Sequence, residues 1–292
     1  MKKYLLSAVM VMLAIVASGV TYMTVKKTDG QAVKYEVDKV EQIDYEKDTT
    51  TSTWKMRAKI VDGSEDKYDV DDVVEVGYVL LDDIQGVSVS GDIDGFSYVD
   101  LGLESGLKWA TYNVGATKPT EYGNYYAWSE TKPKSVYDYD NLSYYDNSTY
   151  EFTKYCTSYA YGHVDNKEEL ESMDDAAYVN WGKRWRMPSA SEQKELINGC
   201  TWEWITDFNN SGVAGRLGTS KYNGNTIFFP AAGSYEGIAA SMQGSYGFYW
   251  SCNLYDINCM DSKLFMFTSE NIWAYQNRYR AVGYSVRAVA TK

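Results

Sequence analysis

Histidine is nearly missing from this chain, cysteine is sparse, and neither a basic stripe nor a long apolar run occurs. Each shortage removes a class of function. The single histidine, His163, is too little for a His-rich metal site. A Ser-His-acid triad would have to pass through the same residue, and nothing marks a partnered nucleophile. In its Tyr- and Gly-containing surroundings it reads as a solvated side chain. Lys and Arg total 28 against 40 Asp and Glu, a net charge of −12. So acidic a surface repels phosphate backbones, and nucleic acid is not an expected partner. The four cysteines, Cys156, Cys200, Cys252 and Cys259, are too few to frame a chain of 292 residues. Three pairings stay open beside the alternative of buried free thiols. None precedes Cys156, which excludes a lipid-modified N-terminal cysteine.

The longest apolar run, Leu5 to Val16, is short of the roughly 20 residues that a spanning helix needs. Lys2 and Lys3 stand before it, and Ala17, Ser18 and Gly19 follow. That order is the one a secretory signal peptide requires, and the expectation is a leader at 1–19 and an exported protein. Removing its two lysines with no acid takes the charge from −12 to −14. Membrane contact is then expected only through the leader, where it stays uncleaved.

Aromatic residues are what the chain has in plenty, with 28 Tyr and 9 Trp. All the Trp except Trp54 lie from Trp109 to Trp273, so that region must bury large rings in a core of its own. Tyr beyond the needs of a core suits a contact surface, since it offers area at a low entropy cost, and suits strands equally well.

Two stretches near the front repeat each other. Met23 to Tyr45 and Met56 to Tyr78 share Met, Lys, Asp-Gly, Lys-Tyr, Val-Asp, Val and Tyr at one offset, 56 − 23 = 33. Asp29-Gly30 and Asp62-Gly63 each lie between short alternating segments, a strong hairpin signal. Each copy therefore reads as a β-hairpin unit, at 20–48 and 49–81, with an acidic, Gly-punctuated linker at 82–97. A lone hairpin is marginal in water, so the two copies must pack on each other or on the larger region C-terminal to them.

From Tyr98 onward, short apolar pieces alternate with Gly and Pro turns. A polar, Tyr-rich stretch from Ser129 to Tyr161 has no period and reads as a long loop, the kind that often carries contacts. Two helices are predicted next. In the first, Asn166 caps with Glu169 in return, and Leu170, Met173, Ala176 and Ala177 form the apolar stripe. In the second, Ser189 and Glu192 make a capping box, with Leu196 and Ile197 buried. The acids Asp165, Glu168, Glu169, Glu171, Asp174 and Asp175 fall on the first, where carboxylates point to several sides. They read as a solvated face rather than a Ca²⁺ cage. Trp181 to Pro188 reads as packing and turn residues, and Ile227-Phe228-Phe229 as a buried strand entered through Asn223-Gly224.

Several blocks together resemble the Fibrobacter succinogenes major paralogous domain, common in secreted proteins of Bacteroidetes-type bacteria. They are VDLGLESGLKWATYNVGAT, YGNYYAWSETKP, DDAAYVNWGKRWRMPS, CTWEW, IFFPAAG, GFYWS and YSVRAV, between Tyr98 and Val289. The resemblance implies an α+β, C-type-lectin-like domain over 98–292, two helices packed around twisted antiparallel strands. The relatives with chemistry lend little. Cys252 and Cys259 sit where formylglycine-generating enzymes carry paired thiols, but the surrounding residues do not match. The Glu-Pro-Asn, Gln-Pro-Asp and Trp-Asn-Asp signatures of Ca²⁺-dependent lectins do not occur. No enzyme activity, cofactor or metal is expected.

The stretch Gly244 to Val289 is the expected working part. By alternation, Phe248, Trp250, Leu264, Phe265, Phe267 and Tyr284 to Val289 are scaffold. What remains is a contact surface of Tyr255, Asn271, Trp273, Tyr275, Gln276, Asn277 and Tyr279, within a segment running to Arg280. Aromatic faces stack on sugars or apolar groups, and amides give directed hydrogen bonds. The expectation is a non-catalytic binding protein at the cell surface or secreted, with a glycan or a surface protein as ligand. Some proteins with the implied fold are diversified by retroelements at Asn-like codons near the C-terminus, which Asn271, Tyr275, Asn277 and Tyr279 would suit. A structural envelope component is the competing expectation, and the front repeat favours it.

Overall fold

A computed structural model describes residues 20–27, 32–36, 40–48, 50–51, 53–60, 62–80, 86–255 and 257–291. The expected leader and the Asp29-Gly30 turn lie outside the described residues. The chain divides after Gln85 into two compact units.

Repetition dictates the first unit. One copy supplies β1 (Val20–Lys27), β2 (Ala32–Glu36) and β3 (Val40–Lys47). The other supplies β4 (Trp54–Ile60), β5 (Glu65–Asp69) and β6 (Val73–Leu80). Each hairpin stays within its copy, but the third strand of each crosses to the other. The sheets run β2-β1-β6 and β3-β4-β5. Their registers are equivalent: Met23 faces Tyr78, and Met56 faces Tyr45. The unit is therefore an intertwined pair of copies with internal pseudo-twofold equivalence. Alternation then sorts the side chains of β4. Met56 and Ala58 are buried with Ile43, while Arg57 between them turns outward to grip Asp44 at 2.7 and 2.6 Å. At the tip of the second hairpin Gly63 adopts φ +89°, and the Asp62 carboxylate accepts the Ser64 N–H at 2.8 Å, as the Asp-Gly signal predicts.

The second unit is built from antiparallel strands. Its largest sheet orders β12-β21-β9-β8-β7: Trp185–Arg186, Val289–Ala290, Lys108–Ala110, Phe96–Asp100 and Gly91–Ile93. The stretch expected as a linker thus contributes two strands, and Val87 beside them is buried with Phe208 and Phe228. A second sheet joins β13 (Cys200–Ile205), β14 (Gly215–Ser220) and β15 (Thr226–Pro230). A third joins β18 (Gly247–Leu254), β19 (Asp261–Phe267) and β20 (Ile272–Tyr279). Two hairpins complete it, β10 (Tyr145–Asp146) with β11 (Glu151–Phe152), and β16 (Ser234–Glu236) with β17 (Ala239–Ser241). Against these strands stand only two α-helices among the described residues, α1 (Ala176–Trp181) and α2 (Ala190–Gly199).

This corrects the expected α+β, C-type-lectin-like class: the fold is β-rich. The first predicted helix shows why. Its front half never becomes helical, because β18 captures it. Glu169 bridges to Asn253, and the Leu170 N–H donates to the Cys252 carbonyl at 2.9 Å. Asn166 sits at φ +54° and is no cap. Met173, expected inside, is 72% exposed. The helix starts instead at Asp175, whose carboxylate accepts the N–H groups of Ala177 and Tyr178 at 2.8 and 3.0 Å. The second helix starts where predicted, with the Ser189–Glu192 capping box formed in both directions and Leu196 buried.

Aromatic rings fill the interior as the Trp density requires. Trp109, Trp128, Trp185 and Trp250 are fully buried. Three of them close hydrogen bonds on the backbone, Trp128 Nε1 to Ser251 O at 2.9 Å, Trp250 Nε1 to Tyr126 O at 2.8 Å and Trp185 Nε1 to Ile93 O at 3.1 Å. Sequence patterning had not signalled two buried arginines. Arg287 donates to Asn113 Oδ1 and to the carbonyls of Ala110, Thr111 and Phe228, with the Phe229 ring 4.4 Å away. Arg280 donates to the carbonyls of Tyr155 and Cys259 and lies 4.4 Å from the Phe152 ring. Burial pushes both guanidinium groups down to about 10.

Candidate ligand-contact face

Strand β20 is an edge strand, since the sheet ends with it. Helix α2 packs across β18, β19 and β20. Opposite Phe265 the ladder breaks: Gln276 pairs with Leu264 and Trp273 with Met266, so two residues face one. Tyr275 takes the left-handed side of this bulge at φ +56°. A bulky residue rarely adopts that conformation, and the bulge re-aims its ring. The ring is 43% exposed, with Lys194 Nζ of α2 5.2 Å from its centroid.

Beyond the bulge the strand alternates again. Asn277 and Tyr279 pair with Lys263 and Asp261 of β19. Asn277 Nδ2 donates to Asp261 Oδ2 at 2.8 Å, and Asn258 Nδ2 donates to the same oxygen at 3.1 Å. The Tyr255 N–H donates to the Asp261 carbonyl at 3.1 Å. Tyr279 is 54% exposed, its ring 6.2 Å from that of Tyr139. Tyr139 comes from the long loop and donates its hydroxyl to the Met260 carbonyl at 3.2 Å. Burial, then the nearby Asp261 charge, raises the Tyr139 phenol well above its usual value.

The expected surface residues therefore fall into three groups. Tyr255, Asn277 and Tyr279 gather around Asp261, with Tyr275 at the adjoining bulge. Trp273 packs on the core cluster of Trp250 and Met266, and Gln276 is half-buried. Asn271 is exposed in the turn before β20, its N–H donating to Thr268 Oγ1 at 3.3 Å. At about 3.3 Å per residue it lies roughly 25 Å along the strand from Tyr279. Arg280, where the expected segment ended, is fully buried and belongs to the core. Sequence reasoning missed Asp261, Lys194 and Tyr139. Only Tyr139 carried a signal, as a residue of the long Tyr-rich loop.

A cleft of about 470 Å³ opens elsewhere, between α1 and α2, lined by Glu169, Asp175, Tyr178, Arg186, Glu192 and Cys252 among others. Its acids and arginines are engaged. Arg186 holds Glu192 through two contacts of 2.8 and 2.6 Å. The Asp175 carboxylate accepts the Met187 N–H at 2.8 Å besides capping α1, and burial raises its pKa. Burial pushes the Cys252 thiol up to about 12, away from nucleophilic use.

Three of the acids before α1 are similarly committed. Asp165 accepts the N–H groups of Tyr155, Cys156 and Lys167. Asp174 accepts the hydroxyls of Tyr144 and Tyr155 and the Lys154 ammonium. Lys154, then Lys167, hold the Glu171 carboxyl down at about 2. Among the described residues no group of three or more His, Cys, Asp or Glu side chains is placed to hold a metal ion. His163 is exposed.

Fold and face together define a β-rich chain of two units that presents tyrosine and amide side chains on a bulged edge strand. No family model, no curated protein and no solved structure matches the chain.

Proposed function

We propose that this protein is an exported, non-catalytic binding protein, at the cell surface or secreted, that contacts a glycan or a surface protein through the β20 edge. One observation carries the reading: Tyr275 and Tyr279 stand exposed on either side of Asn277, which the Asp261 carboxylate holds. Two rings offer stacking area, and the side chains between and beside them can direct hydrogen bonds. Fixing Asn277 in advance lowers the entropy cost of binding. Lys194 beside Tyr275 adds a cation suited to acidic or hydroxyl-rich ligands. The leader-like N-terminus supports export.

The competing reading, assembly into an envelope or matrix, is disfavoured at this edge. A bulge with a left-handed residue in the middle of β20 discourages another strand from pairing there. The test is an array of glycans and purified bacterial and host surface proteins probed with the full chain, alongside sedimentation over rising concentration. Retention on one ligand class by a monomer is the expected result. Self-association with no retention on the array would favour assembly instead.

A further inference from the structure

The four cysteines fall in three clusters of the second unit. Cys200 packs with Leu196 and Phe229, and Cys252 lies against the cluster of Trp185 and Trp250. Cys156 and Cys259 share a third cluster with Tyr137, Phe152 and Ala281, and both are fully buried. The N–H of Thr157, next to Cys156, donates to Cys259 Sγ at 3.1 Å, and Thr157 Oγ1 lies 4.0 Å from the same sulfur. Arg280 clamps both backbones: its Nη1 donates to the carbonyls of Tyr155 and Cys259, each at 3.0 Å. Cys156 Sγ donates to Ser158 O at 3.2 Å. Burial, then the neighbouring Cys259 thiol, raises the pKa of the Cys156 thiol.

We propose that Cys156 and Cys259 form a disulfide when the chain folds in an oxidising medium, and that the bond anchors the floor of the β20 face. Of the possible cysteine pairs, this is the one whose partners share a cluster. The reaction is thiol–disulfide exchange with a small-molecule or protein disulfide. One thiolate attacks a sulfur of the oxidant and releases a thiol. The second thiolate then attacks the mixed disulfide and releases the other. Two protons and two electrons leave the cysteines, and the oxidant is reduced to two thiols. The bond would act on the face through neighbours already described. Cys259 leads into Met260, whose carbonyl accepts from Tyr139, and Asp261, whose carboxylate holds Asn277.

Timing comes from burial. Inside the fold the Cys156 thiol is pushed up to about 11, so about one in ten thousand is thiolate at neutral pH. Exchange in the native state is then slow, and the bond forms before the loop closes. Once made, it resists reductants until the protein opens.

The full chain is unfolded with reductant and refolded with a mixture of reduced and oxidised glutathione, and its thiols are then counted in denaturant. The expected count is two of the four cysteines, with a peptide containing Cys156 joined to one containing Cys259 in a non-reducing digest. The melting temperature of the oxidised protein should exceed that of the reduced protein by about 5–10 °C. Refolding Cys200→Ser/Cys252→Ser should still yield the bond. Four free thiols in the refolded chain, or a bridge containing Cys200 or Cys252, would overturn the assignment. The outcome is independent of whether the β20 face binds anything.

Discussion

Asn277 on β20 and Asp261 on β19 are joined side chain to side chain at 2.8 Å, diagonally across the ladder. Asp261 also accepts from Asn258 and, through its carbonyl, from Tyr255, so its carboxylate holds Asn277 and Asn258 while its backbone fixes Tyr255. Asn277→Ala should cost about 1–2 kcal/mol, the worth of a partly buried hydrogen bond to a charged acceptor. Asp261→Ala should cost more, because it frees two amides at once. Urea unfolding followed by tryptophan fluorescence measures both. Equal stability of Asp261→Ala and wild type would remove Asp261 from this role.

Arg280 shows how much of the second unit depends on one buried cation. Arg280→Met keeps much of the packing against Phe152 but leaves the carbonyls of Tyr155 and Cys259 without a donor. At roughly 1–3 kcal/mol for each of the two orphaned groups, the expected loss is about 2–6 kcal/mol. Chemical denaturation gives the number directly. A neutral effect would mean that water or relaxation replaces the guanidinium.

Alkaline pH should unfold the second unit. Burial raises Tyr137 to about 12 and moves Tyr112, Tyr125, Tyr126, Tyr249 and Tyr284 in the same direction. A tyrosine raised in the fold binds more protons folded than unfolded. Its contribution is complete below about pH 10 and is lost as pH rises through about 12. Arg280 and Arg287, depressed to about 10, act in the opposite sense over the same window. The tyrosines outnumber them and should prevail. Near-UV circular dichroism against pH, with tyrosinate absorbance, should show ionisation and loss of structure together above pH 10.

The two front copies should not fold apart. In each three-stranded sheet the third strand comes from the other copy, so a peptide of residues 20–48 lacks the partner for its β3. Far-UV circular dichroism and sedimentation should show it disordered as a monomer, or ordered only as a dimer. An ordered monomer would contradict the crossed pairing.

The sequence carried the local signals well and the long-range ones poorly. The capping box at Ser189, the turn at Asp62-Gly63 and the buried run at Ile227-Phe228-Phe229 all depend on neighbours in sequence, and each was legible. The strand exchange in the front unit was not: a repeat announces equivalence but not which copy's strand completes a sheet. The first predicted helix failed because pairing with Cys252 and Asn253 overrode a plausible local cap and stripe. At the face, residue types picked out the right strand. They could not register the bulge at Tyr275, which turns Trp273 inward and Tyr275 outward, or the burial of Arg280 by carbonyls distant in sequence.

Binding by the exposed end of β20 is tested most directly by the triple variant Tyr275→Ala/Asn277→Ala/Tyr279→Ala. Exposed tyrosines that anchor a ligand are commonly worth about 2 kcal/mol each, so retention on the array ligand should fall by about 30-fold or more. The variant should keep the near-UV spectrum of the folded second unit, because its two exposed rings carry little of the core. Undiminished retention by a folded triple variant would contradict the account.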